Sequence, residues 1–328
     1  SSGNIFVGGS TVGGLEGNTN KGKYDVFAIK FDQIGTKQET YQTGSSSSDY
    51  LESIKIDSFG NLYGAGYTYG EVDNKTNLGS SDVFTGKLKW SNKDSLWTRQ
   101  LGTASWDIAK EIAVDSSGNV YVTGNTEGDL DGNTNAGKED VFLVKYNSSG
   151  TKQWTKLIGT PTHDYVEGIS VDLTGNIYIA GWTYGNLDNN TNAGSYDLYL
   201  IKYNSDGERQ WTKQLGTSTS EGAYGIDSDS FGNVYVTGWT YGDLDGNTSE
   251  GQSDLFLSKY NSSGTKQWTK QLGTSFQDWA NDVTTDTLGN IYVTGVTAGG
   301  LDGYRNAGRE SVALEIDNVT ANQSVQVD

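Results

Sequence analysis

The chain has 328 residues with no Cys, so neither a disulfide framework nor a thiolate metal site can form. Its formal charge of −18 argues against nucleic acid, whose phosphates need a positive surface, and favours cations or neutral ligands. No apolar run is long enough to insert in a membrane as a helix, and the absence of Met marks a processed chain or part of a larger one.

A Gly-Asn pair recurs at Gly3-Asn4, Gly60-Asn61, Gly118-Asn119, Gly175-Asn176, Gly232-Asn233 and Gly289-Asn290, with spacings of 57, 58, 57, 57 and 57 residues. So regular a period sets the architecture before any motif is read. It predicts six repeats in a single domain, at about 3–59, 60–117, 118–174, 175–231, 232–288 and 289–328.

Each repeat reads as four strands. The first is predicted over Gly168–Asp172, with equivalents Ser53–Asp57, Glu111–Asp115, Gly225–Asp229 and Asp282–Asp286. Its Asp begins a D-x-x-G-N turn, where Gly and Asn tolerate positive φ. The second, Asn119–Gly124, alternates Val120 and Val122 against Tyr121 and Thr123, the period of two that marks a strand. A long polar loop, Asn125–Glu139, leads to an apolar third strand, Asp140–Asn147. After the turn Ser148-Ser149-Gly150, the fourth strand Gln153–Gly159 carries Trp154, matched by Trp97, Trp211 and Trp268, with Glu39 in the first repeat.

These elements predict an all-β fold, a β-propeller of about six four-stranded antiparallel blades packed face to face. A parallel β-helix is the competitor, disfavoured because its coils are shorter and lack hairpin turns. The first repeat enters without its first strand. In the sixth, Ser311–Asp317 aligns with the third strand. Ser324–Asp328 either supplies the fourth or closes the ring on the first repeat, since SVQVD joined to SSGN restores the inter-repeat signature.

The unit D-x-x-G-N-x-Y-V-T-G, then D-x-F-L-x-K-Y-N-x-x-G-x-x-x-W-x-x-x-x-G-T, is clearest at Asp115–Gly124 and Asp140–Gly159. It resembles the bacterial β-propeller repeat family known as SBBP, over all six repeats. The resemblance implies a secreted or surface-exposed propeller, often within a larger protein, and no established chemistry. That family is named for seven blades, against six repeats here.

The loop after the second strand is the first candidate site. In the third repeat, oxygen-bearing side chains fall at loop positions 1, 3, 5, 7 and 12: Asp129, Asp131, Asn133, Asn135 and Asp140. Calcium takes six to eight oxygens, and such spacing can wrap a backbone around one. Asp243, Asp245, Asn247 and Asp254 repeat the pattern, with Ser249; Glu71, Asp73, Asn77 and Asp82, and Asn186, Asp188, Asn190, Asn192 and Asp197, repeat it in part. Thr134 and Thr248 stand where an EF-hand loop needs Gly, and no helices flank the loops, so Asx-turns are the competing reading.

Aromatics form the second candidate: Tyr69, Tyr184, Tyr241, Trp182 and Trp239, with Tyr67, follow the second strand and could stack on sugar rings. Interblade packing is the alternative, favoured for the first aromatic of each pair. Enzyme signatures are nearly absent. The single His163 reads as a solvated turn residue, no Ser-His-Asp set can be built in more than one place, and no Gly-rich phosphate cradle opens a helix. NSSGTKQW is similar to runs in quinone-dependent propellers, without the residues those rely on. His163, Arg305, Trp90 and Trp106 break the repeat and would mark a unique site. The function expected is a non-catalytic extracellular adhesion module contacting glycan or protein. A structural unit of a larger surface protein is the alternative, and a polysaccharide-active or quinone-dependent enzyme the minor one.

Overall fold

The computed structural model describes residues 3–72, 75–301, 310–316 and 326–327. Two compact units divide the chain, Ser1–Gly159 and Thr160–Asp328. In the first, β1 (Ile5–Thr11), β2 (Asp25–Phe31) and β3 (Lys37–Thr43) form a three-stranded antiparallel sheet. Two four-stranded sheets follow: β4 (Asp49–Ile56) to β7 (Asp94–Leu101) through β5 (Asn61–Thr68) and β6 (Asp82–Lys89), then β8 (Asp107–Val114), β9 (Val120–Thr126), β10 (Asp140–Tyr146) and β11 (Lys152–Ile158). The second unit holds three four-stranded sheets: β12 (Asp164–Val171), β13 (Ile177–Thr183), β14 (Asp197–Tyr203) and β15 (Arg209–Leu215); β16 (Glu221–Ser228), β17 (Val234–Thr240), β18 (Asp254–Tyr260) and β19 (Lys266–Leu272); and β20 (Asp278–Thr285), β21 (Ile291–Thr297), β22 (Glu310–Ile316) and β23 (Gln326–Val327).

Strands pair antiparallel in chain order, as hairpin turns of this kind require. Among the described residues the first repeat has three strands and no counterpart of the first, as expected. At the other end β23 pairs with β22, Leu314 opposite Val327, so the C-terminal strand completes its own sheet and is not donated to the first. First strands also begin earlier than predicted. In β12 a bulge between Val166 and Gly168 resets the alternation, so Asp164–Val166 extends the strand out of phase with the segment that follows.

The D-x-x-G-N turn is held by its carboxylate. Asp172 Oδ1 accepts the backbone N–H groups of Thr174 and Asn176, each at 2.9 Å, while Oδ2 accepts the Asn176 amide at 2.8 Å and the Tyr178 hydroxyl at 3.0 Å. Gly175 takes φ +83, which a side chain would strain. Burial pushes the Asp172 carboxyl up, but these donors outweigh it, and its pKa lies below the ordinary value. The same turn sits at Asp57 and Asp286 with the same result.

Cores lie between neighbouring sheets. Val120, Val122, Phe142, Val144 and Tyr146 of the third sheet pack against Tyr63, Ala65, Val83 and Trp97 of the second. Val234, Val236, Phe256 and Tyr260 do the same against Tyr178, Ala180, Leu198 and Leu200. The fourth-strand Trp reaches the next sheet: Trp97 Nε1 donates to the Ser148 carbonyl at 3.2 Å, and Trp211 Nε1 to that of Ser262 at 3.3 Å. Gly150 is required twice over, since it takes φ +76 and a Cβ there would lie 2.5 Å from the Trp97 ring.

Candidate functional site

Each sheet has two unlike ends. One carries the tight turns between strands one and two and between strands three and four. The other carries the long loop and the connection to the next sheet, and both candidate sets lie there. In the third repeat the loop oxygens are directed onto the loop itself. Asp129 Oδ1 accepts the Asn135 N–H at 2.8 Å, Asn135 Oδ1 that of Gly137 at 2.8 Å, and Asp140 Oδ2 that of Ala136 at 2.7 Å. Asn133 instead donates, to the Leu130 carbonyl at 3.1 Å. Asp131 takes φ 53, accepts the Thr155 hydroxyl at 2.6 Å and pairs with Lys152.

The fifth repeat follows suit. Asp243 accepts the Ser249 N–H at 2.8 Å, Asp254 that of Glu250 at 2.9 Å, Asn247 donates to Leu244, and Asp245 pairs with Lys266. In the fourth, Asp188 pairs with Arg209 at 2.8 Å and Asp197 accepts the Ala193 N–H at 2.9 Å. In the second, Asp82 accepts the Leu78 N–H at 3.0 Å and Glu71 is exposed, while Asp73 lies outside the described residues. A calcium shell built from these side chains would have to take Asp131 from Lys152, Asp245 from Lys266 and Asp188 from Arg209. Among the described residues no three His, Asp or Glu side chains form a group that could hold a metal ion. The donor set as folded therefore fits turn chemistry and does not fit a calcium cage.

A buried acidic layer underlies the loops. The first residue of each first strand is an acid, Asp49, Asp107, Asp164, Glu221 or Asp278, and none is more than 2% exposed. Each clamps the connection arriving from the preceding sheet. Asp107 Oδ2 accepts the Thr103 N–H at 2.6 Å and its hydroxyl at 2.9 Å, while Oδ1 accepts the Thr126 hydroxyl at 2.5 Å. Burial raises the Asp107 and Asp164 carboxyls above the ordinary value, against these hydrogen bonds, and the neighbouring Asp82 charge raises Asp107 further. Sequence reasoning missed this layer. The signal was available as an acid recurring nineteen residues before a Thr that ends the second strand, visible as Asp107 and Thr126 or Asp164 and Thr183. Asp82, Asp197 and Asp254, placed among the loop ligands, are likewise 1% exposed or less and belong to this layer.

Above it lie the aromatics. In the second unit Tyr184 packs on Tyr196 with centroids 4.8 Å apart, Tyr196 on Trp239 at 5.8 Å edge-on, and Trp239 on Tyr241 at 5.0 Å. Trp239 is 8% exposed, whereas Tyr184 and Tyr241 are 42% and 43% exposed, so the first aromatic of this pair packs and the second faces solvent. Backbone bonds fix both tyrosines: Tyr184 N donates to the His163 carbonyl at 3.0 Å and Tyr241 N to that of Ser220 at 3.1 Å. Trp182, half-buried, joins Tyr165 and Tyr224. His163 is not the solvated turn residue expected. It is half-buried, stacked on Tyr165 at 6.0 Å and edge-on to Tyr184 at 5.8 Å, because its loop folds back over the sheet end.

The first unit carries its own cluster. Tyr50 stacks on Tyr67 at 4.9 Å and meets Tyr24 at 4.8 Å, with Tyr69 edge-on and 45% exposed. Burial, then the Glu52 charge, pushes the Tyr67 hydroxyl up to about 12. The pattern-breaking residues do not converge: Trp90 is core, Trp106 is 51% exposed, and Arg305 lies outside the described residues.

Comparison with known proteins sets these elements in context. The chain is 25% identical over 189 residues to the regulatory protein FlaEY of Caulobacter vibrioides and 22% identical over 228 residues to an uncharacterized WD repeat-containing protein of Acanthamoeba polyphaga mimivirus. The matches cover 51% and 54% of this chain but only 20% and 16% of those relatives' length. Among solved structures it is similar to a protein of unknown function from Bacteroides caccae, at 9% identity, TM-score 0.49, over 94% of this chain and 90% of that one. The Neurospora crassa Pan2 WD40 domain is similar at 11% identity and TM-score 0.47, over 83% of this chain and 64% of that one. Residues 96–131, 153–188, 210–245 and 267–302 match the model of the SBBP beta-propeller repeat. Each match begins on a fourth strand, crosses the clamped connection, and ends in the long loop after the next second strand. The chain thus carries four segments that match the SBBP beta-propeller repeat, together less than half of its length.

Proposed function

We propose that the chain is a non-catalytic binding module whose sheet ends, carrying the long loops and the tyrosine clusters, contact glycan. One observation carries the reading: Tyr184 and Tyr241 are held in place by backbone bonds and by packed aromatic neighbours, yet leave more than two fifths of their surface in solvent. Tyrosine with only two rotatable angles offers a large, rigid, amphipathic face at little entropic cost. The Asn and Asp of the adjoining loops supply hydrogen-bonding edges beside it. The reading does not require calcium, since the loop carboxylates are already engaged. Repetition of similar loops along the chain would turn weak contacts into avidity, as expected of an extracellular or surface-exposed adhesin. The share of the relatives' length that is matched, a fifth or less, supports a module inside longer proteins.

A glycan array with and without calcium, followed by calorimetry on the best hit, tests this. Tyr184→Ala and Tyr241→Ala should each weaken binding about tenfold while costing only about 0.5–1.5 kcal/mol of stability, too little to unfold the chain. Signals no better than those of an unrelated propeller, in either condition, would end the proposal.

A further inference from the structure

A cleft of about 310 Å³ opens between the first two sheets of the first unit. Its cause lies in three facing positions. Gly64 and Gly86 are cross-strand partners on β5 and β6. At the same places the third sheet has Val122 opposite Val144, both fully buried in core. Across the cleft β2 presents Ala28, where β14 and β18 present Leu200 and Leu257. Neither glycine has positive φ, and a Cβ on Gly86 would meet nothing nearer than 3.5 Å, so neither the backbone nor crowding demands glycine at 86; at Gly64 a Cβ would meet only the end of the Leu51 side chain, at 3.0 Å. Small residues on both walls forfeit the dispersion contacts that fill the neighbouring inter-sheet cores. Tyr41, Ile54, Leu62 and Leu88 are among its apolar walls.

We infer that this cleft is a binding site for a compact, neutral, flat apolar molecule, a role separate from glycan contact at the sheet ends. The size is set by comparison: an apolar cavity of about 150 Å³ holds benzene, so twice that volume suits a fused bicyclic ring. It also falls within the usual range of small-molecule pockets, about 300–1,000 Å³. The charged side chains lining it are Lys21, Lys87, Asp49 and Glu71, two of each sign, so the lining offers no net charge to an ionic ligand. Thr98 and Ser95 on β7 provide hydroxyls for one polar substituent.

The neutral naphthalene dye prodan, whose emission shifts to the blue in apolar surroundings, tests the site on the whole chain. Saturable, blue-shifted binding is expected. Gly86→Val, which restores the residue of the third sheet, and Ala28→Leu, which fills the cleft from the opposite wall, should each weaken it about tenfold or more. Tyr184→Ala, in the other unit, should leave it unchanged. Absence of saturable binding by the native chain, or equal binding by both filled variants with folded-state circular dichroism retained, would overturn the inference.

Discussion

Truncation of Asp172 to Ala offers the sharpest test of how the repeat is held. Its carboxylate is 9% exposed and accepts five hydrogen bonds, from Thr174 N and Oγ1, Asn176 N and Nδ2, and the Tyr178 hydroxyl. Thr174 and Asn176 sit in an open turn, where water can replace the lost acceptor, so together they account for about 2 kcal/mol. The Tyr178 ring is fully buried, and leaving its hydroxyl unpaired adds about 1–3 kcal/mol. Asp172→Ala should therefore destabilise the second unit by about 3–5 kcal/mol, and Asp172→Asn by less, because the amide keeps one acceptor oxygen. Urea unfolding followed by tryptophan fluorescence reads the difference, since Trp211 packs on Tyr178 with centroids 6.1 Å apart. Asp206→Ala, on the exposed turn between β14 and β15, serves as a control that should stay within about 0.5 kcal/mol. A loss below about 1 kcal/mol for Asp172→Ala would refute the claim that the carboxylate, and not the glycine alone, fixes the turn.

Gly216→Ala should cost about 2–4 kcal/mol in the same assay, because a Cβ there would lie 2.1 Å from Asp197 Oδ1 and displace a buried carboxylate from its donors. Gly86→Val should raise stability by about 0.5–1.5 kcal/mol, by filling open space on a strand and removing a flexible residue from it. Acid should affect two carboxylates oppositely. Asp107 has a folded pKa above the ordinary 3.8, so it binds more protons folded than unfolded in that window, and its contribution falls as pH rises through it. Asp172 lies below 3.8, so its contribution is complete above that value and is lost as pH falls. The advantage of the native chain over Asp107→Asn should accordingly grow between neutral pH and about pH 4, and that over Asp172→Asn should shrink below it, as read by urea midpoints. Chelator treatment should leave the melting temperature unchanged within about 1 °C; a clear rise on adding calcium would show that the ion displaces Lys152 and Lys266 from their aspartates.

Much of the fold was legible because its signals are local and repeated. Val120 and Val122 alternate against Tyr121 and Thr123, and the Asp115-to-Asn119 turn recurs with a fixed period. What escaped were features created by pairing across distance. The bulge in β12 hides Asp164–Val166 from any period-two count, and only the register with β13 reveals it. Likewise Asp140 reads as the last ligand of a loop, while it is 1% exposed and opens β10 opposite Thr126 of β9. His163 looked like a variable turn residue, yet Tyr165 two positions on and Tyr184 on the paired strand enclose it. At the candidate site the sequence favoured packing for Trp239, the first aromatic of its pair, but left open whether Tyr241 packs or faces solvent. Which of two alternating side chains faces a neighbouring sheet depends on packing, and packing is not periodic.

The anchoring of the long loops has a consequence for how such a chain can diversify. At one base Thr126 Oγ1 accepts the Gly128 N–H at 3.1 Å, and at the other Asp140 accepts that of Ala136. Both anchors belong to strands, and the fourth and fifth repeats use Thr183 with Asp197 and Thr240 with Asp254 in the same way. The span between them is thereby a cassette with standard fittings. Exchanging one tip for another leaves both fittings in place so long as the buried leucine (Leu130 or Leu244) and the aspartate that meets the fourth strand are kept, so a duplicated repeat can acquire new recognition chemistry at the remaining loop positions without renegotiating its fold, much as an antibody changes its loops on a constant frame.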